Sequence, residues 1–291
     1  MSPWLLPEKT PYHLLMLLPM TPQELELLQA AANRLTEYLN FTPSIVDACI
    51  NDPAPGSQFR QEFSDESAMT AGSVAAMHLN VGVQHLAFVH AALNSDRLVL
   101  LPIVNVLRAT IEATSRAYWL LDPSLDTKQR IARGLLERIA ALESQQGVAQ
   151  DPKHLSARAS DIRATAVQHG IRLQGRRTGS ELPKKVGGEA RPDTAALVAA
   201  ALSGRRKRGD SPSTAGWLYA WMSAYSHSAI WTAVDMRSVR KTSAGTHQIA
   251  VTADAGHIAA ALTLVIEVHK AAVGRLAVSA GRPGPPGTRG K

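Results

Sequence analysis

Apolar residues recur at intervals of three and four along most of this chain, and that spacing predicts helices. Thr21-Pro22-Gln23-Glu24 opens the first of them. Thr21 can cap, proline suits the first helical position, and Glu24 completes a capping box. Leu25, Leu27, Leu28, Ala31, Leu35 and Leu39 keep the period to about Asn40. Further helices are expected over 65–93, 96–121, 124–150, 155–168 and 194–202, with Ile131, Leu135, Ile139 and Leu142 marking one apolar face. The segment 214–236 is apolar all round and is expected at the centre of the fold. A short hairpin is expected within 239–253, turning at Ala244-Gly245, before a last helix over 254–278.

Prolines break up 1–20 and 41–64, which read as irregular, and 171–193 reads as a mobile loop. The fold class is therefore all-α: a single helical domain over 21–279, built as a bundle of six to eight helices. An irregular segment, 1–20, precedes it. A basic, loop-rich insertion occupies 170–214, and a disordered basic tail is expected over 280–291. The helix at 214–236 should pack on that at 96–121. Both carry scarce aromatics, Trp217, Trp221, Tyr225 and Trp231 on one, Tyr118 and Trp119 on the other.

Composition agrees with a packed core: 45% of residues are hydrophobic and 19% charged, with aromatics at only 5%. Leu98–Leu107 is too short to cross a bilayer, and Ile258–Ile266 runs into Glu267, His269 and Lys270. No membrane partner, no signal peptide and a cytoplasmic location are expected. The single cysteine, Cys49, cannot form an internal disulfide and reads as a small core residue.

The net charge of +7 is unevenly placed. Arg172, Arg176, Arg177, Lys184, Lys185 and Arg191 face only Glu181 and Glu189 in the insertion. Arg205, Arg206, Lys207 and Arg208 form a run beside Asp210, and the tail holds Arg282, Arg289 and Lys291. The rest of the chain is close to neutral. Such loops can follow a phosphate backbone, although no aromatic interleaves with them to stack on bases. The competing reading is a solvated, solubilising surface.

Within 96–121, Asn105, Arg108, Glu112, Ser115 and Trp119 share a polar stripe, and Arg108 and Glu112 stand four residues apart, within reach of each other. His227 lies in Tyr225-Ser226-His227-Ser228, on the helix without a polar face. Were the two helices to pack together, Arg108, Glu112 and His227 could bind an anion or do acid–base chemistry. The plainer reading is a surface salt bridge and a core histidine.

Arg108-Ala109-Thr110-Ile111-Glu112-Ala113, with Trp119-Leu120-Leu121-Asp122 and the later Tyr225-Ser226-His227, resembles uncharacterised bacterial helical families. These are similar to abortive-infection proteins and to the HEPN superfamily (higher eukaryotes and prokaryotes nucleotide-binding). The resemblance covers about a tenth of the chain. It implies an all-helical bundle, a homodimer, a defence or stress role and, in some members, ribonuclease activity. The ribonuclease signature is arginine, four to six residues, then histidine. Arg163 to His169 and Arg240 to His247 fit that spacing, as many pairs as chance supplies.

His78, His85 and His90 fall on one helix but not at metal-ligand spacing, and the nucleotide-binding glycine motifs are absent. No metal and no cofactor are expected. The leading expectation is a non-catalytic helical protein that binds RNA or DNA through its basic loops. The rivals are a HEPN-type ribonuclease working through Arg108, Glu112 and His227, and a protein-interaction scaffold.

Overall fold

The capping box forms as the sequence demands. The Thr21 hydroxyl accepts from the Glu24 amide at 3.2 Å, and the Glu24 carboxylate accepts from the Thr21 amide at 2.7 Å. Helix α1 then runs Pro22–Leu39, burying Leu28, Ala31, Leu35 and Tyr38. The computed structural model describes residues 21–63, 71–95, 100–145, 152–175, 182–203, 212–226, 237–241, 247–251 and 254–286. After α1 come α2 (Thr42–Asn51), α3 (Gln58–Phe63), α4 (Ala71–Leu93), α5 (Leu100–Leu120), α6 (Thr127–Gln145) and α7 (Pro152–Gln168). Three two-residue strands follow: β1 (Leu173–Gln174), β2 (Lys185–Val186) and β3 (Glu189–Ala190). Then come α8 (Thr194–Ser203), α9 (Pro212–Ser226), the strands β4 (Arg237–Lys241) and β5 (His247–Val251), and α10 (Ala255–Ser279). The fold is all-α apart from these small strands.

Helices α4 and α5 pack along each other, and α10 lies across α1 and α5. One apolar core joins Leu35, Leu86, Leu107, Ile111 and Leu262 between α1, α4, α5 and α10. A second, at the α2 end, holds Cys49, Phe59, Leu79, Leu120 and Leu276. Burial raises the Cys49 thiol to about 11, so it stays protonated, as a core residue does. A third core, of Ile131, Leu135, Ile139, Ile162 and Val186, lies between α6, α7 and the first three strands. No helix among the described residues is long and apolar enough to cross a membrane.

Helices α4 and α10 meet at Gly82, where the His269 ring occupies the space of a side chain. A Cβ at Gly82 would stand 2.6 Å from His269 Nε2. The imidazole is fully buried. Its Nε2 donates to the Leu79 carbonyl at 3.1 Å, so Nδ1 carries no proton and accepts from the Tyr38 hydroxyl at 2.5 Å. Gly82→Ala is therefore expected to destabilise the protein by about 1–3 kcal/mol, because the ring must move and its bonds stretch. A thermal denaturation midpoint equal to that of the parent would contradict this packing.

Several expectations need correction. The region 41–64, read as irregular, contains α2 and α3. Thr42-Pro43 starts α2, where proline's missing N–H costs nothing. The described part of the helix expected at 214–236, which is α9, is not central, and 227–236 lie outside the described residues. Among its described residues α9 packs on α5, α8 and α10, while Trp217 remains 45% exposed. The central place belongs to α10, whose Ala, Val, Leu and Ile fit between neighbours where indole rings do not. The expected hairpin is present as antiparallel β4–β5, with Lys241 opposite His247; its turn lies outside the described residues. Residues 280–286, expected in the disordered tail, are held: Ala54 N–H donates to the Ala280 carbonyl at 2.8 Å, and Arg282 bonds Asp52. Residues 1–20 and 287–291 lie outside the described set.

The largest correction concerns 171–193, whose described residues, 171–175 and 182–193, do not form a loose loop. Gly187 and Gly188 both have positive φ, 60° and 88°, and form a two-residue turn joining β2 to β3. Ile171, Leu182 and Val186 are buried against α6 and α7. Two ion pairs then clamp the hairpin to α6. Arg133 Nε reaches Glu189 at 2.7 Å, and Arg191 reaches Glu137 at 2.7 and 3.1 Å. Four helical residues rise about 6 Å and two extended residues about 6.6 Å. The two charge pairs therefore match in spacing, with opposite signs alternating on each element.

Candidate functional site

Arg108 and Glu112 do meet: Arg108 Nε donates to Glu112 Oε1 at 2.8 Å, both side chains being about one-fifth exposed. The Tyr219 hydroxyl of α9 donates to the same oxygen at 3.1 Å. Burial, then the Glu112 carboxylate, raises the Tyr219 pKa. Nearby, Ser226 Oγ donates to Asn105 Oδ1 at 2.8 Å. The polar stripe of α5 thus binds α9 to α5. His227, the third expected member, lies outside the described residues. With Oε1 engaged by two donors, Glu112 reads here as a joint between helices.

Of the expected nucleic-acid residues, Lys184 and Lys185 are exposed, at and beside the start of β2. Arg176, Arg177, Arg205, Arg206, Lys207 and Arg208 lie outside the described residues. Neither arginine–histidine pair has the helical setting of the ribonuclease signature. Arg163 sits in α7 with His169 just past its end, and Arg240 and His247 lie on the two strands of the β4–β5 hairpin.

The structure instead brings together residues that no motif connects. A cleft of about 280 Å³ opens between α4, α5, α6 and the end of the β2–β3 hairpin. Val74 and Met77 of α4 and Ala140 and Ala141 of α6 form its apolar wall. His78, Arg116, Glu137, Arg138 and Arg191 form the polar one, with Ser144 at one side. Each position follows from local structure. His78 sits one place from Met77 on α4, Arg116 projects from the last turns of α5, and Glu137, Arg138, Ala140 and Ala141 share a turn of α6. Arg191 arrives through the Gly187–Gly188 turn and the Glu137 clamp.

The electrostatics are one-sided. Three guanidinium groups face one carboxylate, and the two-pronged contact with Arg191 uses both Glu137 oxygens. Arg116 and Arg138 remain as surplus positive charge in the cleft. Arg116 Nε is buried and has no hydrogen-bond partner among the described residues. An unmet buried donor of this kind costs about 1–3 kcal/mol, more for a charged group. Desolvation lowers the Arg138 pKa, which Asp161 opposes and Arg158 reinforces. Burial lowers the His78 pKa to about 4; Glu137 opposes the shift, while Arg116 and Arg191 add to it. The cleft therefore holds a neutral imidazole beside two guanidinium groups, with Asp161 acting on Arg138 from α7.

Comparison with protein-family models, with curated proteins and with solved structures gave no match. The site must be read from its own chemistry. Among the described residues no group of three or more His, Cys, Asp or Glu side chains could hold a metal ion. Guanidinium groups and a neutral imidazole are donors suited to a phosphate or carboxylate, which guanidinium binds through paired hydrogen bonds. Sequence reasoning missed the cleft because its residues come from four separated segments. The available signal was faint: Arg116 stands directly before the apolar run 117–121, and Glu137 falls among the buried positions of α6.

Proposed function

We propose that this protein binds a phosphorylated small molecule, its phosphate seated between Arg116, Arg138 and His78. Arg116, which lines the cleft with no ion-pair partner among the described residues, carries the reading, because a phosphate supplies the anion its guanidinium lacks. The positive charge of Arg116, with that of Arg138 partly offset by Asp161, suits an anion. The wall of Val74, Met77, Ala140 and Ala141 suits a compact, mostly apolar remainder. At about 280 Å³ the cleft lies at the lower end of small-ligand pockets.

A nucleic acid is the second reading, favoured by Lys184 and Lys185, which stand exposed on the hairpin that leads to Arg191. One backbone phosphate would occupy the cleft and its neighbours would run toward the lysines. Calorimetry with inorganic phosphate, a simple alkyl phosphate, and a short single-stranded RNA and DNA at two salt concentrations separates the two. The small-ligand reading expects the alkyl phosphate to bind, and Arg116→Met to weaken it by about 10- to 100-fold, the worth of a charge-assisted bond. The nucleic-acid reading expects binding that falls steeply with salt, together with cleavage-free recovery of the strand. Absence of phosphate binding at millimolar concentration would reject the cleft as an anion site.

A further inference from the structure

Of the described residues that line the cleft, His78 alone belongs to a type that changes its charge near neutral pH. Arg116, Arg138 and Arg191 are permanent cations. The Glu137 carboxylate accepts both bonds from Arg191, which pairs it with one of them. Helix α4, which carries His78, has no Asp, Glu, Lys or Arg in its 23 residues. The charges acting on the ring therefore come from the elements around it. Arg116 of α5 and Arg191 beyond β3 oppose an imidazolium, Glu137 of α6 favours one, and Arg138 of α6 lines the same cleft. On its other sides α4 meets groups engaged elsewhere. Glu62 of α3, beside Gly72, is bonded to Arg130. His269 of α10 fills the space at Gly82 as a neutral ring bonded to the Leu79 carbonyl. Helices α1 and α2 keep Glu26, Arg34, Glu37 and Asp47 exposed.

This setting makes the ring respond to whatever sits between the arginines. Burial and two guanidinium groups keep the imidazole neutral at pH 7, with a pKa of about 4. An anion between Arg116 and Arg138 opposes the field of those groups and adds a negative charge beside the ring. A protonated ring also offers two N–H donors where the neutral ring offers one. The anion is thus held better by the imidazolium, and by linkage the ring holds its proton better when the anion is bound.

We propose that the cleft takes up one proton with each anion it binds, and that the proton resides on His78. Resting on the anion reading of the cleft, this makes pH the regulator of the site. Above the pKa of the ring in the complex, neither state carries the proton and pH has no effect. Below it, each pH unit strengthens binding by up to about tenfold, until the value of the free ring is reached. That lower limit is about 4. The cleft loads in mildly acidic solution and releases its ligand as the pH rises.

Calorimetric titration of inorganic sulfate and inorganic phosphate into the full chain, between pH 5 and 8, tests this. Sulfate holds no proton in that range, so a proton taken up with it comes to rest on the protein. Repeated in buffers of different ionisation enthalpy, sulfate binding is expected to take up about one proton at the acidic end and to tighten at least about tenfold from pH 7 to 5. Arg116→Met is expected to weaken it, which locates the ion in the cleft. His78→Gln keeps a donor but cannot be protonated there, and is expected to bind sulfate without the pH dependence. Histidine ring signals in NMR give a second measurement on the parent protein. Of the two rings that titrate near 4, His78 is expected to rise by more than about one unit with sulfate, while buried His269 stays. Sulfate binding that is indifferent to pH, or equally pH-dependent in His78→Gln, overturns the proposal and leaves the anion site standing. Binding of phosphate without sulfate also overturns it, since the proton then belongs to the ligand. Binding of neither ion at millimolar concentration, or sulfate binding unchanged in Arg116→Met, overturns the anion site itself and this proposal with it.

Discussion

Glu62→Gln is expected to lower the unfolding free energy by about 3–5 kcal/mol, a large share of the total stability of an ordinary domain. Glu62 lies on the six-residue helix α3, and its side chain and that of Arg130 on α6 are essentially without solvent exposure. Arg130 Nε bonds Glu62 Oε1, and Nη2 lies 3.4 Å from Oε2. Arg130 Nη1 is buried with no partner among the described residues, so the guanidinium depends heavily on this one carboxylate. Removing the negative charge leaves a positive one stranded in the interior, where solvation cannot replace it. A paired change isolates that cause. Arg130→Met with Glu62→Leu removes both charges and fills similar volume, and is expected to recover most of the loss. Urea denaturation at neutral pH measures the parent and both variants. A single variant costing less than about 1 kcal/mol would show that water reaches the pair.

Acid is expected to weaken the fold through His269 before the carboxylates titrate. Burial lowers this histidine from the ordinary 6.5 to about 4, the bond to the Leu79 carbonyl offsetting part of the effect. The unfolded chain therefore takes up its proton first. Above pH 6.5 the histidine makes no difference between the states. As the pH falls from 6.5 to 4 the unfolded state gains, and below 4 the loss is complete. A shift of this size corresponds to about 3 kcal/mol. His78, also near 4, adds to the same window, although a bound anion would raise its pKa and reduce its share. Stability measured at half-unit steps between pH 4 and 7 reads the slope. His269→Gln cannot take up the proton and is expected to flatten it, whatever that substitution costs at neutral pH. An unchanged slope in the variant would show that other groups govern acid sensitivity.

These two results concern groups of a kind sequence patterns describe poorly. Thr21, Pro22 and Glu24 declare the start of α1 because capping is a local matter between residues three apart. Ile131, Leu135 and Ile139 declare the buried face of α6 for a similar reason. Arg108 and Glu112 are legible as a pair by their i,i+4 spacing, and their bond is present. Tyr219, which completes that cluster, is 107 residues beyond Glu112 and has no local signature. The Gly187–Gly188 turn was readable as a hairpin signal. The flanking charges Lys184, Lys185, Glu189 and Arg191 favoured a loop instead, and only the facing Arg133 and Glu137 of α6 show why such a charged hairpin stays in place.

By itself the sequence determined the all-α class, most helix positions, the β4–β5 hairpin, the core thiol of Cys49 and the absence of a membrane-length apolar helix among the described residues. These depend on short-range periodicity, capping and composition, which the chain carries locally. The tertiary structure alone decided that His78, Arg116, Glu137, Arg138 and Arg191 share one cleft, and that Arg130 is buried against Glu62. Those facts depend on which helix faces meet between distant segments, 68 residues apart for Glu62 and Arg130 and 54 for Glu137 and Arg191. Helical periodicity says that a residue lies on a face, and packing says what that face meets.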